Sequence, residues 1–323
     1  MKLNRSYWQD KTVLITGITG FAGSWLAETL LPLGANVVGI TKSNGINNVA
    51  HLKEKLKVIT ADILDEKAVF QALKSNEIDV LFHLAAQSDV VRAFKDPVET
   101  YSINFGGTLS ILEAVRKYDT LEKMHFAGSS QEYGLIYENE TPVKETNQLR
   151  PMNPYAVAKI AASFACEVHS KSYGIPVVRT RAFNHIGPRQ QRHFIVPTII
   201  DQAIQIKNGK RAEFELEDIN SQRDFTDVRD MVNGYTLAVE KGENAEVYNL
   251  CSGKAHSIKQ IIEIVSKKIK ISPKVKLNKT KRPNHIPLVL GDCTKAKQDL
   301  GFKPEITLEE TITELVKTAE ASH

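Results

Sequence analysis

Residues 11–31, KTVLITGITGFAGSWLAETLL, constrain the fold more than any other stretch of the chain. Thr12, Val13, Leu14, Ile15 and Thr16 make a β-branched, apolar run with the length of a buried strand. Gly17, Gly20 and Gly23 follow at once, and a helical run extends from Phe21 to Leu31. A strand that feeds a glycine turn and then a helix gathers backbone N–H groups at the positive helix end, where a phosphate can be held. A side chain on the turn would keep the backbone away from a pyrophosphate. Glycines also serve tight turns for packing alone, but their place between strand and helix points to a dinucleotide held by Gly17, Gly20, Phe21 and Gly23.

The first half repeats the alternation. Strand-like runs at 12–16, 36–40, 57–60, 80–84, 124–127 and 177–181 are separated by helical runs at 21–31, 66–74, 101–117 and 155–173. This βαβ order predicts an α/β chain with a Rossmann-type, doubly wound parallel sheet, right-handed crossovers and ligands at the carboxyl ends of its strands. Beyond Arg181 the alternation weakens. An irregular run at 183–188 precedes a helix at 194–207. A helix at 227–240 and a strand at 246–250 then return to the large sheet, before helices at 257–270 and 308–319. The expected division is a dinucleotide-binding domain of residues 1–182 plus 226–250 and a smaller α/β substrate domain of residues 183–225 plus 251–323.

Charge and composition exclude several classes. The net charge of +4 is 42 basic minus 38 acidic residues, too small a surplus for nucleic acid. Cys166, Cys251 and Cys293 are too few and too far apart for a disulfide framework or a zinc site, so no metal is expected. MKLNRSYWQD has no apolar signal core and no run reaches membrane-spanning length, which predicts a soluble cytoplasmic protein without a membrane partner. The helices at 101–117 and 155–173 carry more small and apolar residues than one sheet face needs, and they are the expected homodimer surface. Gly106 and Gly107 inside the first of them predict a close approach there.

Chemistry collects near the strand ends. The second strand runs into Lys42 and Ser43 without the acid that would accept from an adenosine ribose. A basic and a hydroxyl residue suit a 2′-phosphate, so NADP(H) is favoured, with NAD(H) open. Asp62 and Ile63 follow the third strand and are candidates for the adenine, although Asp62 could equally cap the next helix. Leu84, Ala85 and Ala86 are apolar or small, as a backbone lying against a flat cofactor requires. Tyr155 and Lys159 stand four apart on one helix face, where an ammonium would lower the phenol pKa and make a usable acid or base. Ser129, at a strand end, can bond a substrate oxygen. Tyr7 and Lys11 share the Tyr–Lys spacing, but no helix is expected there.

TGITGFAG, Ser129 and the Tyr155–Lys159 pair resemble the extended short-chain dehydrogenase/reductases that act on nucleotide sugars, from about residue 10 to the C-terminus. GSSQEYG, ENETPVKETNQLRPMNPYAVAK, RTRAFNHIGPRQ, RDFTDVRDMVNGY and YNLCSG look most like the group of GDP-4-keto-6-deoxy-D-mannose reductases and GDP-mannose 4,6-dehydratases. YWQDKTVLITGITGFAGSWLA looks like CDP-glucose 4,6-dehydratase. The resemblance implies an oxidoreductase acting on a nucleotide-diphosphate sugar, with Ser129, Tyr155 and Lys159 catalytic. Reduction of GDP-4-keto-6-deoxy-D-mannose to GDP-D-rhamnose is the first expectation; 4,6-dehydration, 4-epimerisation with retained NAD and a non-catalytic NADP sensor are the alternatives.

Gln131 favours reduction. Similar dehydratases place Glu at that position, and an amide cannot take a proton in an elimination. Glu132 is an acid one place on, which strand alternation should turn away. The substrate contacts implied are Gln87, Ser130, Gln131, Asn184 for phosphates or sugar, Val196 for the base, and Arg223 and Arg282 for the diphosphate, which guanidinium matches well. A salt bridge of Arg223 with Asp224 is the alternative use of that arginine, and His185 is expected to support the turn. The relatives read Arg-Pro-x-Glu where this chain has Arg282-Pro283-Asn284-His285, so CDP and dTDP stay open beside GDP.

Overall fold

The fold comes from a computed structural model that describes residues 1–43, 45–272, 274–278 and 286–321. Seven strands form one parallel sheet: β1 Thr12–Thr16, β2 Asn36–Thr41, β3 Leu56–Thr60, β4 Val80–His83, β5 Lys123–Ser129, β6 Val177–Ala182 and, after three strands outside it, β10 Val247–Leu250. Their order is β10-β6-β5-β4-β1-β2-β3, with every pair parallel. The strand order reverses between β1 and β4, which opens a crevice at their carboxyl ends. Side chains of β4 and β6 are buried throughout, as a sheet covered on both faces requires.

Two apolar layers cover the sheet. On one face Val13, Ile15 and Phe82 pack with Leu26, Met231 and Tyr235, which belong to α2 (Phe21–Leu30) and the much later helix at Val228–Lys241. On the other, Leu14, Leu81, Met124 and Phe126 pack with Leu73, Leu112 and Ala162. Those three sit on α3 (Glu66–Ser75), a helix at Gly107–Tyr118 and the long helix Pro154–Tyr173. The long helix ends on Gly174 at φ 72°, the left-handed cap a glycine supplies.

The helix anticipated at 101–117 is a π turn, Ser102–Gly106, running into α6, Gly107–Tyr118, and two short helices precede it, α4 Val90–Lys95 and α5 Pro97–Tyr101. Gly107 has the predicted packing reason, because a Cβ there would lie 2.6 Å from the Ile63 side chain, whereas one on Gly106 would make only an ordinary contact with Leu64 at 3.5 Å. A one-turn helix, α1 Arg5–Trp8, also stands where none was anticipated. Its Trp8 is fully buried and donates from Nε1 to Glu240. Lys11 lies outside that turn, so Tyr7 and Lys11 share no helix face.

Following α7 (Pro154–Tyr173) and β6, a smaller layer gathers β7 Asn184–Ile186, β8 Glu213–Leu216, β9 Gln222–Asp227, β11 Ala255–Ser257, β12 Lys274–Leu277 and β13 Leu288–Val289. β7, β9, β11 and β13 make one sheet and β8 pairs β12. Helices α8 Ile195–Lys207, α10 Ile258–Ile269 and α11 Leu308–Ala321 close over Phe214, Ile199, Ile261, Val265 and Ile312. The link back to the large sheet is α9, Val228–Lys241, capped by Asp227. Among the described residues no helix is long and apolar enough to cross a membrane. None of them forms a cluster of three His, Cys, Asp or Glu groups suited to a metal.

Candidate active site

The glycine turn leaves β1 and enters α2 in a geometry that only glycine permits. Gly17 sits at φ 72°, and a Cβ there would meet the Ala85 backbone at 3.0 Å. A Cβ on Gly23 would lie 2.3 Å from the Gly17 carbonyl oxygen, so turn and helix are in direct backbone contact. Gly20 is the N-cap of α2 and lacks a side-chain cap, which leaves the first N–H groups of the helix for a ligand. The residues present fit a pyrophosphate.

A buried polar chain fixes the neighbouring floor. Thr16 Oγ1 accepts from the Leu84 and Ala85 N–H groups, both at 3.2 Å, and bonds His83 Nδ1 at 2.8 Å. His83 Nε2 reaches Thr108 Oγ1 at 3.0 Å. Burial pushes His83 down to about 3, so it is a neutral ring here. Leu84, Ala85 and Ala86 are half-buried along this edge. Phe21 stacks on His185 at 5.7 Å and 10° between planes, and His185 Nδ1 bonds the Phe183 carbonyl at 3.1 Å, which ties the turn to β7.

At the far end of β2, Lys42 Nζ lies 2.9 Å from Asp62. The Leu64 N–H and then Lys42 hold the Asp62 carboxyl below its ordinary range. Capping of α3 belongs to Asp65, not Asp62. Ser43 is exposed, and its carbonyl accepts from Thr41 Oγ1. Ile63 is buried against Gly107.

Ser129, Tyr155 and Lys159 come together at the end of β5. Ser129 is the last strand residue. Its Oγ accepts from the Gln131 N–H at 3.2 Å and shares a hydrogen bond with the Tyr155 hydroxyl. Tyr155 opens α7, where Asn153 caps the helix and Pro154 stands at its first position. The pKa relation differs from the anticipated one. Burial pushes Tyr155 up to about 12; Ser129 works against that rise and the Glu132 charge adds to it. Lys159 is itself brought down to about 8 by burial, with Glu132 opposing. Its ammonium donates to the Ala127 carbonyl at 2.8 Å and lies 5.0 Å from the centre of the Phe126 ring.

The two residues after Ser130 take different places. Gln131 is half-buried, and its Oε1 accepts from Asn153 Nδ2 at 3.1 Å. Glu132 is fully buried. Strand alternation does not apply to it, because β5 ends at Ser129 and Ser130–Glu132 is a 3₁₀ turn. The turn swings the carboxylate back beneath Ser129, whose N–H it accepts at 2.8 Å, while its other oxygen takes Arg181 Nε at 2.8 Å. Neither Asn153 nor Glu132 was anticipated as part of the site. Asn153 before Pro154 was a readable N-cap signal, but its bond to Gln131 spans 22 residues.

Several anticipated substrate contacts are otherwise engaged. The Gln87 amide donates to the Asp89 carbonyl and Thr100 and accepts from the Asp89 N–H, so it closes its own turn. Ser130 is 4% exposed. Val196 is fully buried with Ile199 and Ile200 in the smaller core, so its side chain packs instead of facing a base. Asn184 is half-buried at the start of β7, in register with Phe225. Arg223 is half-buried on β9, with Nη1 on the Gln222 carbonyl. Burial lowers its pKa, with Asp218 opposing. The pairing with Asp224 is absent, since Asp224 accepts from Ser252 and Gly253. Arg282 lies outside the described residues.

Residues 14–315 match the family described as GDP-mannose 4,6 dehydratase. The GDP-6-deoxy-D-mannose reductase of Pseudomonas aeruginosa is 33% identical over 245 residues, 75% of this chain and 81% of that one. The GDP-mannose 4,6-dehydratase of Vibrio cholerae is 30% identical over 348 residues, 95% of this chain and 93% of its own. A solved structure of RMD from Pseudomonas aeruginosa, complexed with NADPH, superposes with a TM-score of 0.84 at 28% identity, covering 97% of this chain and 100% of that one.

Proposed function

The chain belongs to the GDP-mannose 4,6 dehydratase family, and on that premise we propose that it reduces the C4 ketone of a nucleotide-linked 4-keto-6-deoxy-hexose with NADPH. GDP-4-keto-6-deoxy-D-mannose is the substrate favoured, giving GDP-D-rhamnose. One observation carries the choice of reduction over elimination. The two side chains that follow Ser130 are an amide held by Asn153 and a carboxylate held by Ser129 and Arg181. Neither is free to take a proton from a sugar carbon, as the loss of water across C5 and C6 requires.

NADP(H) would rest on Gly17, Gly20, Phe21 and Gly23, against Leu84, Ala85 and Ala86, with Lys42 and Ser43 beside its 2′-phosphate and Asp62 and Ile63 beside the adenine. When bound, it supplies the hydride for C4. Ser129 would hold the C4 oxygen. Tyr155 would protonate that oxygen as it becomes an alkoxide, and its raised pKa keeps it the phenol that this direction needs. Lys159 would stabilise the resulting phenolate and bond the cofactor ribose. We assign residues 183–225 plus 251–323 to the nucleotide sugar, with Asn184 and Arg223 toward the phosphates.

A homodimer is proposed on a shifted surface. Most of the large exposed apolar side chains lie on α4, α5 and α7, where Phe94, Val98, Tyr101, Val157, Phe164 and Val168 are 39–75% exposed. α6 buries Ile111, Leu112 and Val115 instead. α4 and α5 pack on α7, which makes one continuous face.

Purified protein given NADPH and GDP-4-keto-6-deoxymannose should lose absorbance at 340 nm, and Tyr155→Phe should lose nearly all of that rate. An unchanged 340 nm signal, or conversion of GDP-mannose into a 4-keto sugar, would sink the assignment. Interconversion of C4 epimers with no net NADPH use would identify an epimerase instead.

A further inference from the structure

Beneath the catalytic turn lies an ion pair to which the proposed mechanism gives no part. Glu132 has no exposed surface and Arg181 is 5% exposed. A pair this deep is weak evidence for stability, since removing two charges from water offsets much of their attraction. Its position suggests another use. One carboxylate oxygen accepts the Ser129 N–H at 2.8 Å, and the other takes Arg181 Nε at 2.8 Å. A Cβ on Gly128 would sit 2.5 Å from the first oxygen, so the carboxylate is packed against the backbone of the turn. Arg181 is anchored in turn by the Tyr133 hydroxyl and the Glu145 carbonyl, at 3.2 and 3.1 Å.

We propose that Glu132 is a positioning residue, the buried counter-anion that fixes the Ser129 turn and keeps Lys159 protonated at neutral pH. Both of its oxygens face N–H donors, the arrangement of a carboxylate rather than a carboxylic acid. Burial raises the Glu132 pKa and Arg181 opposes that. Lys159 Nζ donates to the Ala127 carbonyl at 2.8 Å, two residues before the Ser129 N–H that Glu132 accepts, so ammonium and carboxylate share the end of β5, where burial alone would favour the neutral amine. The groups around the pair come from every neighbouring element. α7 contributes Lys159, Tyr155 and Cys166, the turn contributes Tyr133, β6 contributes Arg181, the loop before α7 contributes Glu145, and α9 contributes Tyr235, which faces Tyr155. His83 and His125 lie near Lys159 but are neutral, both pushed down to about 3 by burial. Glu132 is the carboxylate in this set whose charge acts on both Tyr155 and Lys159.

The inference rests on the proposed catalytic role of Lys159 for its consequence in turnover, but it can be read without turnover. Protein labelled with ¹³C at lysine Cε is titrated by NMR, and the Lys159 resonance is assigned by its loss in Lys159→Met. The wild-type midpoint should fall near 8, and Glu132→Gln should lower it by about one pH unit. Glu132→Asp, which keeps the charge, should leave it near the wild-type value. If Glu132→Gln does not fold, the double variant Glu132→Gln, Arg181→Met removes both buried charges together, a change buried pairs often tolerate, and should lower the midpoint by less than the single variant, because a cation leaves with the anion. The alkaline limb of kcat/KM for ketone reduction should move with the midpoint. An equal midpoint in wild type and charge-removed variant overturns the inference, whatever the melting temperatures do. Absence of ketone reduction in the wild type would overturn the proposed function alone, because the titration still judges Glu132.

Discussion

Replacing Gly23 by alanine should loosen the cofactor turn without disturbing the rest of the fold. The added Cβ would lie 2.3 Å from the Gly17 oxygen and 2.9 Å from Gly17 C and Ile18 Cα. Ordinary contact is about 3.4 Å or more, so turn and helix must separate by roughly 1 Å. All three atoms are backbone, so no side-chain rotation can relieve the overlap. Gly17 cannot retreat, because its own Cβ position is already 3.0 Å from the Ala85 backbone. Overpacking of this kind costs about 1–3 kcal/mol, and here it falls on the N–H groups that would face the pyrophosphate. Loss of one hydrogen bond to a charged phosphate is worth about 1.5–3 kcal/mol, roughly tenfold or more in Kd. Gly174→Ala is the control. It also sits at φ 72° but has nothing within 4 Å, so it should lower stability by about 1 kcal/mol and leave NADPH binding alone. Fluorescence titration with NADPH and thermal denaturation read both variants. NADPH binding by Gly23→Ala within twofold of wild type would refute the reasoning.

Lys42→Ala should weaken NADPH by roughly tenfold and leave NADH unchanged, measured by paired titrations. An equal loss for both cofactors would place Lys42 away from the 2′-phosphate. Arg223→Ala should raise KM for the nucleotide sugar by tenfold or more, with the melting temperature nearly unmoved; an unchanged KM contradicts the phosphate role. Reduction should fall as pH rises through about 8, since the ammonium form of Lys159 is present below that value and lost above it. A pH–rate profile flat to well above 9 would contradict this. Charging the apolar face with Val98→Asp and Phe164→Glu should convert a dimer of twice 36.0 kDa into the 36.0 kDa monomer by light scattering. A wild-type monomer would exclude that surface.

What could be read from the sequence was the local part. β1, the glycine turn and α2 follow from a short β-branched apolar run, three glycines and a helical run within twenty-one residues. Tyr155 and Lys159 follow from the helical repeat. The parallel sheet follows because each strand is a compact apolar run. The smaller layer was harder, because β7, β11 and β13 have only two or three residues and form only against distant partners. Glu132 was misjudged because its direction depends on where β5 stops and on Arg181, 49 residues later. Gln87 and Val196 looked available because nothing local shows that Thr100 takes the Gln87 amide, or that Ile199 and Ile200 bury Val196. Lys42 and Asp62 were each assigned to cofactor, and their mutual ion pair appears only once β2 and β3 lie side by side.

The most direct test uses NADPH carrying deuterium on the transferable position of the nicotinamide. Incubation with GDP-4-keto-6-deoxymannose, followed by NMR of the product, should show one deuterium at C4 of the sugar for each NADPH consumed. A product without deuterium, or a sugar converted while NADPH stays intact, would contradict direct reduction at C4.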